Sequence, residues 1–142
     1  MMRVTIFVAR LLLGAIFVVA AVPKIADPPS FAHMVSNYTI IPPGFVNSAA
    51  LLLPWIEMLA GIALVVGIFR QTAAKLVGIL LVVFVLGIGI NLARDHAVQC
   101  GCFDVHAAEK SHHQLIREMR WVLIRDTALL AVVGFLLARG EI

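Results

Sequence analysis

Polar and apolar positions in this chain fall into long separate blocks. Val4 to Val22, Ala50 to Phe69, Ala73 to Leu92 and Trp121 to Ala138 are almost unbroken apolar runs. Each is long enough to cross a bilayer, which takes about 17 to 25 residues of helix. Lipid offers no partner to an open backbone group, so such runs cross as helices. The pattern therefore predicts an all-α, polytopic transmembrane four-helix bundle, with residues 1–142 as a single membrane domain.

The breaks predict the connections. Residues 23–49 carry Pro23, Pro28, Pro29, Pro42, Pro43 and Gly44 and read as a long first loop, because proline forbids continuous helix and sets turns. "FRQTAAK", residues 69–75, is a tight turn that makes the second and third spans antiparallel neighbours. Residues 93–120 form a second long loop, whose later part "AAEKSHHQLIREMRW" is rich in helix formers and runs into the fourth span. A cleaved secretory signal shares the layout of the first span, with Arg3 and Arg10 before an apolar stretch ending in small residues. The longer apolar reach and the placement of Lys24 favour a retained helix. Cleavage would leave three spans and the same outward loops.

Composition strengthens the membrane reading. Hydrophobic residues make up 62% of the 142 and charged residues 13%, with a mean hydropathy of +1.03, whereas a soluble domain carries about 25% charge. The expected partner is the lipid bilayer, and no nucleic acid. Charge also bears on orientation, since Lys and Arg collect on the cytoplasmic side. Arg3, Arg10, Arg70, Lys75 and Arg139 fall on one side; Lys24, Arg94, Lys110, Arg117, Arg120 and Arg125 fall on the other, interleaved with acidic residues. The counts nearly balance, and cysteine chemistry tips them. A thiol pair persists as a redox couple in an oxidising compartment, which sets the cysteine loop on the periplasmic side of a bacterial-type inner membrane.

Ionisable residues inside the spans are the next signal. Glu57 lies seven residues past Ala50, on the order of 10 Å into the second span. Arg125 and Asp126 lie about a turn into the fourth, Lys24 closes the first, and Asn91 and Arg94 close the third. All fall in the half of the bilayer nearest the cysteines. The other half holds only Arg10, which can reach its own interface. A charge at helix centre costs at least ~2.5 kcal/mol on insertion scales, so these groups are expected to face the bundle and pair. Glu57 is expected to pair with Lys24 or Arg125. The set can serve packing alone, or support a proton or electron relay. Pro54, one turn before Glu57, is placed to kink its helix and open space there.

The only cysteines, Cys100 and Cys102, stand one residue apart in "VQCGCFD", residues 98–104. A disulfide over so short a ring departs from relaxed geometry and is readily reduced, which suits exchange with a partner's thiols. Arg94 and nearby histidines can favour the thiolate. Two other readings stand beside redox exchange. His33, His96, His106, His112 and His113 lie on the same side, and thiolate with imidazole suits Cu(I) or Zn, but no C-x-x-C or H-x-x-x-H framework is present and no metal ligands are assigned. The thiols can also be inert. Tyr38, the single tyrosine, reads as an interfacial aromatic or as a hydrogen-bond partner for a bound headgroup or quinone.

Lys24 followed by "DPPSF", "NYTIIPP" at 37–43, "LPWIEMLAGIALVVGIFR" at 53–70, "CGCF" at 100–103 and "IRDTALL" at 124–130 occur here in one order and spacing. In this the chain resembles the DoxX-like membrane proteins, and within them the methylamine utilisation protein MauE group. The resemblance implies a four-helix membrane protein of redox type, associated with maturation of methylamine dehydrogenase in the periplasm and similar to four-helix quinone-linked disulfide oxidases. Carried onto this chain, it marks Lys24, Tyr38, Pro54, Glu57, Cys100, Cys102, Arg125 and Asp126. Asp104 stands where the family pattern has Gly, which adds a negative charge beside the thiols. The function expected is a thiol–disulfide couple at Cys100 and Cys102, acting with a periplasmic thioredoxin-like or substrate protein, with a quinone as the compatible cofactor and Lys24, Glu57, Arg125 and Asp126 in support. The alternatives are a non-enzymatic assembly factor and a Cys/His metal handler.

Overall fold

The computed structural model describes residues 1–98 and 111–140. Their helices are α1 (Met2–Ala26), α2 (Pro28–Asn37), α3 (Pro43–Val66), α4 (Arg70–Ala93) and α5 (His112–Arg139). Four of them, all but α2, are long and apolar enough to cross a membrane. The protein is an all-helical, multi-pass membrane protein.

The first connection differs from the expected loop. Residues 28–37 are helical, α3 starts at Pro43 rather than near Ala50, and α1 runs through Pro23 to Ala26. The prolines account for this by position. Pro28 and Pro29 open α2, and Pro43 opens α3, where the missing N–H would have had no partner anyway and the fixed φ already suits a helix. Asp27 caps α2, its carboxylate accepting from Ser30 N at 3.2 Å and Ser30 Oγ at 2.8 Å. The α3–α4 turn is also tighter than the 69–75 stretch suggested, because α4 begins at Arg70. Gly67 at φ +88° and Phe69 at φ +45° reverse the chain between them. A side chain at Gly67 would also meet the guanidinium of Arg10, 3.3 Å from a Cβ placed there. Arg10 is buried under this turn, which joins two spans at one end of the bundle, and its charge lies by the carbonyl end of α3, where a helix favours cations.

Helix α1 packs chiefly on α3 and α5 on α4, and the α3–α4 contact joins the two pairs. The α1–α3 seam is set by two glycines. A Cβ on Gly14 would lie 2.7 Å from the carbonyl oxygen of Gly61, and one on Gly61 would lie 2.8 Å from that of Gly14. Gly14 also faces Leu64 and Val65 while Gly61 faces Val18, so rising numbers on α1 meet falling numbers on α3. The helices are antiparallel and nearly in backbone contact, which favours association where water gives no hydrophobic drive. Leu13, Phe17, Leu64, Val77, Leu81, Val133 and Leu136 fill the centre. The outer faces carry exposed Leu12, Val19, Leu52, Leu59, Ile79, Val83 and Ile124, the surface that lipid covers.

Gly61→Val should lower the thermal unfolding midpoint in detergent by the equivalent of about 1–3 kcal/mol, the usual range for overpacking, or prevent folding. Gly134→Ala, with open space around it, should stay within about 0.5 kcal/mol of the parent. Equal tolerance of both changes would contradict the close α1–α3 seam.

Candidate functional site: a buried charge cluster

Lys24 and Glu57 meet because of how side chains leave a helix. From the Gly14–Gly61 crossing, Lys24 is ten residues up α1 and Glu57 four residues back along α3, roughly 15 Å and 6 Å of rise. Helical side chains lean toward their own N-terminus. On antiparallel helices Lys24 therefore leans inward and Glu57 outward, closing the remaining gap. Lys24 Nζ donates to Glu57 Oε1 at 3.0 Å and Oε2 at 2.9 Å, with the two side chains 3% and 1% exposed. The ammonium also lies over the rings of Phe31, at 5.3 Å, and Phe84, at 5.2 Å, which adds cation–π attraction in a dry setting.

Arg125 takes a different partner from the one considered for Glu57. Its Nε and Nη2 both donate to Asp126 Oδ1, at 2.9 and 2.7 Å. Asp126 is 2% exposed, and its Oδ2 has no hydrogen-bond partner among the described residues. A cavity of about 30 Å³ lined by Lys24, Glu57, Arg125 and Asp126 brings the two ion pairs together, between α1, α3, α4 and α5. That is room enough for a water, which needs about 10–15 Å³ of such space. With two cations and two anions the cluster is formally neutral, the condition under which buried charge is tolerated in hydrocarbon.

The remaining marked residues lie elsewhere. Tyr38 ends α2 and its ring rests on Gly87 of α4. Together with Lys24 it lines a larger, apolar cavity rather than the charge cluster. Pro54 is buried in α3 one turn before Glu57. Asn91 is buried at the end of α4, donating to Gly87 O at 2.9 Å. His96 Nε2 lies 3.1 Å from Asn37 O, and His112 Nε2 lies 3.4 Å from Asp95 O, so the ends of α2 and α4 and the start of α5 gather on one side. Cys100, Cys102, Asp104 and His106 lie outside the described residues. Among the described residues no three His, Cys, Asp or Glu side chains converge as metal ligands would. Phe31 and Phe84 are the members that sequence reasoning missed. Nothing distinguishes Phe84 within its apolar run, and Phe31 reaches Lys24 only because α2 folds back.

The family model for methylamine utilisation protein MauE matches residues 2–139. This chain belongs to the MauE family. It is 34% identical over 136 residues to the methylamine utilization protein MauE of Methylorubrum extorquens, covering 95% of this chain and 68% of that protein. Against the MauE protein of Methylophilus methylotrophus it is 35% identical over 95 residues, 66% of this chain and 50% of the relative. Against that of Paracoccus denitrificans it is 29% identical over 132 residues, 92% and 67%. The chain thus spans between half and about two thirds of the length of these relatives. No solved structure matches it.

Glu57→Ala should destabilise the folded protein by about 3–5 kcal/mol, because it strands the Lys24 ammonium. Lys24→Met/Glu57→Leu should recover most of that loss, since apolar residues of similar size often replace a buried pair at little cost. Denaturation of both variants in one detergent checks this, and a double variant as unstable as Glu57→Ala would show that the pair does more for folding than neutralise its own charge.

Proposed function

We propose that this MauE-family chain is a membrane thiol–disulfide protein of methylamine utilisation, acting at Cys100 and Cys102 on a disulfide-bearing periplasmic protein of that system. The observation that carries the reading is the neutral, buried set of Lys24, Glu57, Arg125 and Asp126, inside a family named for methylamine utilisation. Ionisable side chains held within a membrane by default mark function, and four of them gather here.

The topology supports the location. Helices α1, α3 and α4 alternate in direction, so α1 and α4 end on one side. Residues 94–111, which include both cysteines, connect α4 to α5 from that side. We place that side in the periplasm, where a thiol couple can persist oxidised.

One thiolate of a partner dithiol attacks the Cys100–Cys102 disulfide and forms a mixed disulfide, releasing the other cysteine as thiol. The partner's second thiol then displaces this chain's sulfur. Two electrons and two protons pass from the partner, which leaves with a disulfide, to the Cys100–Cys102 pair, which leaves as a dithiol. The reverse exchange uses the same atoms. Arg125 and Asp126 lie on α5, the helix that this segment enters, and in this reading the charge cluster supports the exchange from within the membrane. The wider kinship with DoxX-like membrane proteins belongs to this same reading.

Thiol trapping in cells tests it. With Cys100→Ala or Cys102→Ala, the remaining thiol should accumulate a mixed disulfide with a periplasmic protein, and each variant should lose function. After mild reduction an impermeant maleimide should label the parent in intact spheroplasts. Full function of both single variants would leave a non-enzymatic assembly factor, and labelling only after permeabilisation would reverse the orientation.

A further inference from the structure

The larger cavity has features that the thiol reading does not use. It encloses about 350 Å³ between α2, α3 and α4, inside the range of roughly 300–1,000 Å³ of small-molecule sites. Its walls include Phe31, Val35, Tyr38, Leu53, Val83 and Phe84. Val83 is also among the exposed apolar residues of the outer surface, so the cavity meets the face that lipid covers. An apolar pocket there would be filled by any acyl chain, were it not for Lys24 in its wall.

An ammonium carries three donors. Two are directed at the oxygens of Glu57, and the group lies between the rings of Phe31 and Phe84, both of which line the cavity. The third N–H has no acceptor among the described residues, and Lys24 lines this cavity as well as the small one beside Asp126. The charge of an acceptor entering from the larger cavity follows from Glu57. The carboxylate already neutralises Lys24, so an anionic head would bring a net negative charge into an apolar pocket, which is costly. A neutral acceptor adds no charge. The route of entry narrows the class further. The cavity is lined by Val83, Leu86 and Ile90, which are exposed on the outer face of α4, so the acceptor must reach Lys24 from the lipid side and be carried in the bilayer.

We propose that this cavity binds a neutral, bilayer-dissolved carbonyl compound whose oxygen accepts the third Lys24 N–H while its apolar body lies among Phe31, Tyr38, Leu53 and Phe84. An open-chain ketone and a flat ring ketone share this chemistry. The site does not depend on the thiols, so it and the exchange reading fail separately.

The test is the thermal unfolding midpoint of the full chain in detergent, titrated with 2-tridecanone, fluorenone, tridecane and tridecanoate. At least one ketone should half-saturate at a concentration roughly tenfold or more below that of tridecane, the factor expected for a hydrogen bond from a charged donor. Whichever ketone wins names the shape of the natural ligand. In Lys24→Met/Glu57→Leu the preference over tridecane should vanish while binding persists. Ala49→Phe, which fills the cavity wall, should weaken all binding. Equal affinity for ketones and tridecane in the parent would reduce the cavity to a lipid-filled groove and overturn the proposal. So would tightest binding of tridecanoate, or unchanged ketone binding by folded Ala49→Phe.

Discussion

The Lys24–Glu57 ion pair is the constraint around which this structure is arranged. Either group alone inside the membrane would cost several kcal/mol, so α1 and α3 must present both at one height and facing each other. That requirement explains the near-backbone approach at Gly14 and Gly61. A wider seam would leave two side chains that lean the right way but cannot touch. It also explains the company the pair keeps: two aromatic rings against the ammonium and a second, self-neutralising pair across a small cavity.

Burial here follows the solvent. Large apolar side chains are exposed around α1, α3, α4 and α5, while the most deeply buried residues include Glu57, Asn91 and Asp126. Inside hydrocarbon, burial of an apolar group gains little, because lipid is as apolar as the core. Small residues at the seams and paired charges such as Lys24–Glu57 and Arg125–Asp126 take over the role that a greasy core has in water. Arg10 follows the same logic at the other end of the bundle, lying beneath the α3–α4 turn by the carbonyl end of α3.

Much of this was legible in the residues. The spans could be read from run length alone, since only helices cross lipid. The position of Glu57 in the half of the membrane near Lys24 followed from counting residues. What the sequence withheld depended on packing. Prolines at 28, 29 and 43 read as breakers when they are helix starters, although Asp27 before Pro28 and Pro29 is itself a start signal. The partner of Arg125 was hidden because adjacent residues do not face each other on a helix; the long guanidinium curls back to Asp126. Phe84 was invisible within an apolar run, and Tyr38 turned out to share a cavity wall with Lys24 instead of joining the charges.

The proposed function couples a charge cluster inside the membrane to a thiol pair in the connection between α4 and α5. It is tested most directly by following Cys100 and Cys102 in cells that carry Lys24→Met/Glu57→Leu, a change that leaves both thiols in place. Alkylation of acid-quenched cells reports the oxidised and reduced fractions over time after a reducing pulse. The variant should be folded and membrane-inserted, with thiols that recover their steady-state oxidation at least several-fold more slowly than those of the parent. Recovery at the parental rate in a folded variant would separate the cluster from the thiols and contradict the coupling.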